Sequence, residues 1–248
     1  MSWKSKFDLN EGIKKYLLKL VNETLDVIEN YKYEKRDYSN DKVIYMRNLN
    51  NLETGLFEGL QTKYKMQQYN IKEQNKLRKG TKSYLEKHYN SDGMLTDIFD
   101  YIDNDLDVHF VAHYYNGKRY LLGFDYSRDK FYGTYTYVSF GDENNYEEYM
   151  VRGPEIISEI IYKRYTKTTS GVYDYLYIMY TFKGKNPLGE IEIGEFKIGE
   201  KITFNKEVIY NKFDEMFNKY EGKEDKILDS PYIVEKNKCY LWPVHTFF

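Results

Sequence analysis

The spacing of the apolar residues changes along this chain, and that change constrains the fold more than any other feature of the sequence. In the first third, apolar side chains recur every three or four residues, the interval of one face of a helix. Asp8 and Glu11 precede this series at the spacing of a capping box. The apolar positions of this first predicted helix are Ile13, Leu17, Leu20, Val21, Leu25 and Ile28.

Three further segments before residue 108 have a weaker helical spacing. One begins near Leu52 and ends before Gly80, and a short helix is predicted for residues 81–88. After the turn at 91–93, one more amphipathic helix is predicted. Its apolar positions are Leu95, Ile98, Phe99, Ile102 and Leu106.

From residue 108 onward the pattern becomes that of paired strands. Residues 108–124 predict a hairpin, because Asn116-Gly117 is a frequent two-residue turn between apolar arms. The later predicted elements are a strand over 131–140, a helix from Gly153-Pro154, a hairpin over 172–193, a strand over 196–204 and a helix that begins near Val208. This order indicates two successive strand-strand-strand-helix units, and it leaves a true internal duplication open.

Together these elements predict an α+β protein. Residues 1–93 are expected to form a helical N-terminal region, and residues 94–248 an antiparallel sheet with helices packed on one face. No linker rich in Ser, Gly or Pro separates the two parts, so one hydrophobic core can serve both.

The composition excludes several classes of protein. The chain has 37 Lys and Arg against 39 Asp and Glu, a formal charge of −2, which excludes a globally basic nucleic-acid binder and an acidic DNA mimic. Cys239 is the only cysteine, so neither an internal disulfide nor a cysteine-based zinc site can form. The sequence contains no secretory signal and no apolar run of membrane-spanning length, which predicts a cytoplasmic protein without a membrane partner.

Residues with AT-rich codons dominate the chain. It contains 29 Tyr and 14 Phe but a single alanine, Ala112. This bias is typical of low-GC bacteria and of their phages and mobile elements. Because the bias itself raises the tyrosine count, that count alone is weak evidence for a ring-lined ligand site.

Charge is segregated into two neighbouring stretches. Residues 63–87 contain eight Lys and Arg against two Glu, and residues 92–107 contain six Asp and no Lys or Arg. Two solvated faces, a nucleic-acid groove with interleaved tyrosines, and a docking surface for a charged protein each account for this pattern. The binding residues predicted on this basis are Lys72, Lys76, Arg78 and Lys79, or Asp97, Asp100 and Asp103 on the polar face of the predicted helix after residue 94.

One enzymatic pattern is present. Glu195 and Lys197 stand two residues apart on a predicted strand, and Asp174 lies about twenty residues upstream on another. These three residues resemble the motif of PD-(D/E)xK nucleases, in which two carboxylates bind Mg²⁺ and the lysine orients the attacking water. The apolar residues are expected to change face at Gly194, which favours a solvent-exposed hairpin with an ion pair instead.

The absence of other catalytic motifs favours a non-enzymatic protein. The sequence has no phosphate-binding loop, dinucleotide-binding motif or esterase elbow. We therefore expect a stoichiometric inhibitor of the immunity or counter-defence type, which binds a partner protein through a charged, Tyr-rich surface and needs no cofactor. The alternative is a Mg²⁺-dependent nuclease or nucleic-acid-binding protein that contacts nucleic acid through residues 63–87. The sequence leaves the oligomeric state open.

Overall fold

The computed structural model describes residues 11–47, 60–124, 135–151, 159–181 and 188–211. Within these ranges the chain forms two helices and eleven strands. The helices are α1 (Glu11–Asn30) and α2 (Leu60–Gln68). The strands are β1 (Lys42–Arg47), β2 (Tyr84–Tyr89), β3 (Leu95–Ile102), β4 (Asp105–Tyr115), β5 (Lys118–Phe124), β6 (Thr136–Gly141), β7 (Asn145–Val151), β8 (Glu159–Thr169), β9 (Val172–Thr181), β10 (Leu188–Ile198) and β11 (Ile202–Asn211).

All eleven strands belong to one antiparallel sheet, in which every strand pairs with its neighbours in the sequence. This architecture shows that the predicted α+β class is wrong. Both helices of the described residues precede residue 69, and the predicted helices packed on the sheet after residue 94 are absent from the described ranges. The predicted division at residue 93 falls in the turn between β2 and β3, which pair directly.

Several predicted elements are corrected by the sheet. The helix predicted for 81–88 is β2, and the amphipathic stripe after residue 94 is β3 with the start of β4. Ile160 and Ile161, predicted to be helical, lie in β8, and Val208 and Ile209 lie in β11. The strand predicted over 196–204 contains the turn between β10 and β11. The rest of the last two predicted helices lies outside the described residues.

The helical predictions failed because several strands are buried on both faces. In β8, Ile160, Tyr162 and Tyr165 are each at most 3% exposed, although Tyr162 and Tyr165 lie on opposite faces of the sheet. In β3, Asp97 and Ile98 are both buried on opposite faces. Such strands lack the polar alternation of a half-exposed strand, so their apolar residues fall at mixed intervals that imitate a helix.

Two predictions are confirmed in detail. The first predicted helix is α1, and residues 108–124 form the β4–β5 hairpin. Asn116 and Gly117 have φ values of 48° and 71°. Positive φ at both central residues is the requirement of a type I′ turn, whose twist matches the flanking strands. The second predicted hairpin is the pair β9–β10, and its turn lies outside the described residues.

Helix α1 lies across one face of the sheet, named here the α1 face. Leu17, Leu20 and Val21 are buried in a cluster with side chains of β5 to β10. Three polar contacts accompany this packing: Tyr16 donates to Glu147 at 2.7 Å, the hydroxyls of Thr24 and Tyr149 are 3.1 Å apart, and Lys118 donates to Glu23 at 2.5 Å. The amphipathic stripe predicted from the sequence is therefore the buried face of α1.

Residues 31–41, named here the strap, continue from α1 across the same face to β1. Three strap tyrosines make edge contacts with three histidines of the sheet, at ring-centroid distances of 5.0, 5.9 and 5.0 Å. The pairs are Tyr31 with His113, Tyr33 with His109, and Tyr38 with His88.

The burial of His113 predicts a loss of stability in mild acid. Burial lowers the pKa of His113 below its ordinary value of about 6.5, so the unfolded chain binds this proton more readily than the folded chain. The free energy of unfolding should therefore fall as the pH drops below about 6.5. Denaturant titrations at about pH 7.5 and about pH 5.5 measure this loss, and His113→Phe, which keeps a ring against Tyr31, should reduce it. An unchanged loss in that variant would contradict the assignment.

Helix α2 lies on the opposite face, and its contacts show that the sheet curls around it. The Gln67 side-chain oxygen accepts a hydrogen bond of 2.7 Å from the backbone N–H of Ile202 in β11. Further along the chain, Gln74 exchanges two backbone hydrogen bonds with Tyr45 in β1. The chain from Gln67 to Gln74 reaches at most about 25 Å, whereas eleven strands in a flat sheet span about 48 Å. The two edge strands therefore approach each other.

Candidate binding groove

An open groove of about 810 Å³ lies where β1 ends and β2 begins. Residues 69–83 form its outer wall after they leave α2. Backbone hydrogen bonds of 2.7 and 2.9 Å between Tyr45 and Gln74 hold this wall against β1. Gly80 turns the wall back toward β2 with a φ of +86°, a conformation that glycine adopts without strain.

Four cationic side chains line the groove: Arg47, Lys76, Arg78 and Lys82. The lining contains no carboxylate. In the described part of the chain none of the four has an acidic side chain within ion-pair distance, and the guanidinium of Arg78 donates only to the side-chain oxygen of Gln74, at 3.1 Å. The positive charge of the groove is therefore available to an anionic group from outside.

Tyrosine rings and one leucine supply the apolar part of the groove. Tyr84 stacks on Tyr101 at 4.7 Å, and Tyr45 meets the edge of Tyr84 at 6.1 Å. Tyr69 and Leu77 are 46% and 38% exposed. The groove thus combines uncompensated cations with two exposed apolar side chains, the composition typical of a binding surface with anchors.

The tyrosines near the groove stay protonated at neutral pH. Burial, followed by the nearby Glu86 carboxylate, raises the pKa of Tyr45, Tyr84 and Tyr101 above the usual value of about 10. Each phenol is therefore a neutral hydroxyl that can donate a hydrogen bond to an anion.

A partly buried ionic network holds the strap against the sheet. Arg36 donates to Asp97 at 3.0 Å and to both carboxylate oxygens of Asp41 at 3.1 and 3.2 Å. Asp97 is 1% exposed and also lies 2.8 Å from the His109 ring nitrogen and 3.3 Å from the Tyr38 hydroxyl. Buried charges are tolerated only when paired in this way.

The network extends toward the groove through β2. One ring nitrogen of His88 is 3.4 Å from Asp41, and the other is 2.7 Å from Glu86. Because Asp41 immediately precedes β1 and Glu86 lies beside the Tyr45 and Tyr84 rings, the network fixes the strands that carry the groove tyrosines.

The sequence identified part of the groove and missed the rest. Among the predicted basic residues, Lys76 and Arg78 line the groove, whereas Lys72 and Lys79 are exposed on the same segment. Arg47 was missed, because the pairing of Tyr45 with Gln74 that brings β1 to this segment is a tertiary contact without a local sequence signal. The buried network was missed for the same reason, since Arg36 and Asp97 are 61 residues apart.

The three predicted acidic residues do not share one surface. They were placed on a helix face, but Asp97 and Asp100 lie in strand β3, where their opposite parity directs them to opposite faces. Asp97 is buried in the network, Asp100 is half-buried, and Asp103 is exposed in the turn between β3 and β4.

The structure brings the three predicted nuclease residues together. Asp174 lies directly opposite Glu195 in the β9–β10 pair, and Lys197 is 2.8 Å from Glu195. Both partners of this ion pair are about half exposed, at 44% and 52%. The apolar residues change face at Gly194 as predicted: β10 pairs with β9 without a shift from Glu190 to Lys197, and Ile191 and Phe196 are buried in different clusters, one with α1 and one with α2. Among the described residues, no three His, Cys, Asp or Glu side chains converge as a metal site.

Comparison with known proteins adds no relative. No protein-family model, curated protein or solved structure matches this chain. Neither α1 nor α2, the helices of the described ranges, has the length and apolar character needed to cross a membrane.

Proposed function

We propose that this protein is a non-enzymatic binding protein that acts stoichiometrically by covering an acidic surface of a partner protein with the groove. The observation that carries the proposal is the set of four groove cations without ion-pair partners in the described chain. A complementary charged surface accelerates association and selects the partner. The codon bias of the sequence supports a source in a low-GC bacterium, phage or mobile element. A protein of this kind that covers the surface of a partner would act as an inhibitor of the immunity or counter-defence type.

The ring geometry favours a protein partner over a nucleic acid. Single-stranded nucleic acids bind to successive aromatic faces on which bases stack. In the groove, one face of Tyr84 is already occupied by Tyr101. Tyr69 is the groove ring with the largest exposed fraction, so it is the main ring left for a base to stack on. The exposed Leu77, which lines the same groove, suits an apolar side chain of a protein.

A Mg²⁺-dependent nuclease is the second candidate. Its support is the placement of Asp174, Glu195 and Lys197 on one exposed part of the β9–β10 pair. Two carboxylates on neighbouring strands can hold Mg²⁺, and the lysine would orient the attacking water. In the ion pair with Glu195, the lysine is held by a carboxylate that the metal would need, which is why we rank this function second.

Affinity capture tests the proposed function. Tagged full-length protein is incubated with lysate of low-GC bacteria, with and without phage infection, and after nuclease treatment. We expect a stoichiometric protein partner, and we expect Lys76→Glu/Lys82→Glu to reduce its recovery at least about tenfold, because reversal places like charges in contact. The melting temperature should be nearly unchanged, since both lysines are exposed.

The control is Lys15→Glu/Lys32→Glu, which makes the same change in net charge at exposed positions outside the groove. Equal recovery with both double variants would refute the groove as the binding site. Recovery of nucleic acid that is lost at high salt would instead support the second candidate, with Asp174→Asn as the next variant.

A further inference from the structure

An exposed acidic loop stands at the end of the β3–β4 hairpin. Residues 103–107, named here the acidic tip, are all exposed and include three aspartates and Leu106, which is 37% exposed. Asp103 and Asn104 form its two-residue turn with φ values of 52° and 72°. In the described part of the chain, Asp103, Asp105 and Asp107 have no ion pair, so the tip presents uncompensated negative charge.

The acidic tip is fixed at the rim of the basic groove. The backbone N–H of Asn104 donates to the Lys82 carbonyl oxygen at 2.8 Å, and that of Asp103 donates to the Ser83 hydroxyl at 3.3 Å. Lys82 and Ser83 both line the groove. Two surfaces of opposite charge therefore lie side by side, and among the described residues no ion pair joins one to the other.

We propose that two copies of this chain associate through these surfaces, with the acidic tip of each copy in the basic groove of the other. A two-fold rotation brings the acidic tip of each copy to the basic groove of the other. The contact between tip and groove is then made twice in one dimer. The exposed Leu106 would meet the exposed Tyr69 and Leu77 of the second copy, which adds an apolar contact to the ion pairs. The second copy would occupy the same groove as the proposed acidic partner, so the two would compete.

The charges make this dimer sensitive to salt. Contacts between exposed charges are weak individually and are screened when the Debye length becomes shorter than their separation. Raising the salt from about 0.1 M to about 1 M shortens that length from about 10 Å to about 3 Å. We expect a reversible dimer at low salt that dissociates at high salt.

Complementary charge reversal tests the dimer. Variant one is Lys76→Glu/Lys82→Glu, which leaves two cations and two carboxylates in the groove and so removes its net positive charge. Variant two is Asp105→Lys/Asp107→Lys, which makes the tip basic. Sedimentation equilibrium of the full chain at low salt should show dimers of the wild type and of the Lys15→Glu/Lys32→Glu control. Each reversal variant alone should self-associate at least about tenfold more weakly, because its groove and tip no longer have opposite net charges.

An equimolar mixture of the two variants should dimerise more strongly than either variant alone, since the acidic tip of variant one then faces the unchanged basic groove of variant two. Circular dichroism melting of each variant checks that the fold is retained. A monomeric wild type at low salt up to about 1 mM would overturn the proposal, and so would a dimer that both reversals leave intact. The inference does not depend on the proposed function: variant two should lose the dimer and still capture a partner protein, whereas variant one should lose both.

Discussion

Replacing Asp97 by alanine is expected to lower the free energy of unfolding by about 3–5 kcal/mol, the usual effect of breaking a buried ion pair. Asp97 is 1% exposed and accepts contacts from Arg36, His109 and Tyr38. Without it, Asp41 is the one charged partner that the described residues leave to the Arg36 guanidinium. Urea titration of the wild type and the variant measures the difference.

Asp107→Ala is the matched control, because Asp107 is an exposed aspartate of the neighbouring strand β4. Its effect should stay within about 0.5 kcal/mol. Equal effects of the two substitutions would show that the network under the strap does not stabilise the fold. A large effect of Asp97→Ala alone would show that the network of Arg36, Asp97 and Asp41 holds the strap, and with it the start of β1, in place.

Whether an element could be predicted from the sequence depends on how many of its faces are buried. Helix α1 was predictable because it buries one face, so that Leu17 is buried while its neighbour Leu18 is 45% exposed. Strand β8 could not be predicted, because it is buried on both faces: Ile160 is fully buried on one and Tyr165 on the other. A pattern rule that assumes one buried face assigns such a strand to a helix. The sheet therefore could not be recovered from periodicity alone.

The groove was only partly predictable, because some of its residues are close together in the sequence and others are not. The basic stretch is local in sequence, so Lys76 and Arg78 could be identified as a cluster. The acidic stretch is equally local, but a strand separates successive side chains by parity, and β3 directs Asp97 inward while Asp103 remains at its exposed end. Arg47 joins the groove through a pairing across 29 residues, between Tyr45 and Gln74, which no local rule predicts.

Replacing Leu17 by alanine is expected to cost about 2–5 kcal/mol of unfolding free energy, because the substitution leaves a cavity between α1 and the sheet. Leu17 is fully buried in the cluster that α1 shares with strands β5 to β10. Leu18→Ala is the matched control, with the same change of residue one position along the same helix, and its effect should stay within about 0.5 kcal/mol.

Because helix propensity changes equally in both variants, the difference between them measures the packing of α1 on the sheet. The unfolding signals of the helix and of the sheet can also be compared. If α1 is part of one cooperative unit with the sheet, Leu17→Ala should shift helical and tyrosine signals of unfolding together. Separate transitions, or equal effects at positions 17 and 18, would contradict the placement of α1 on the sheet face.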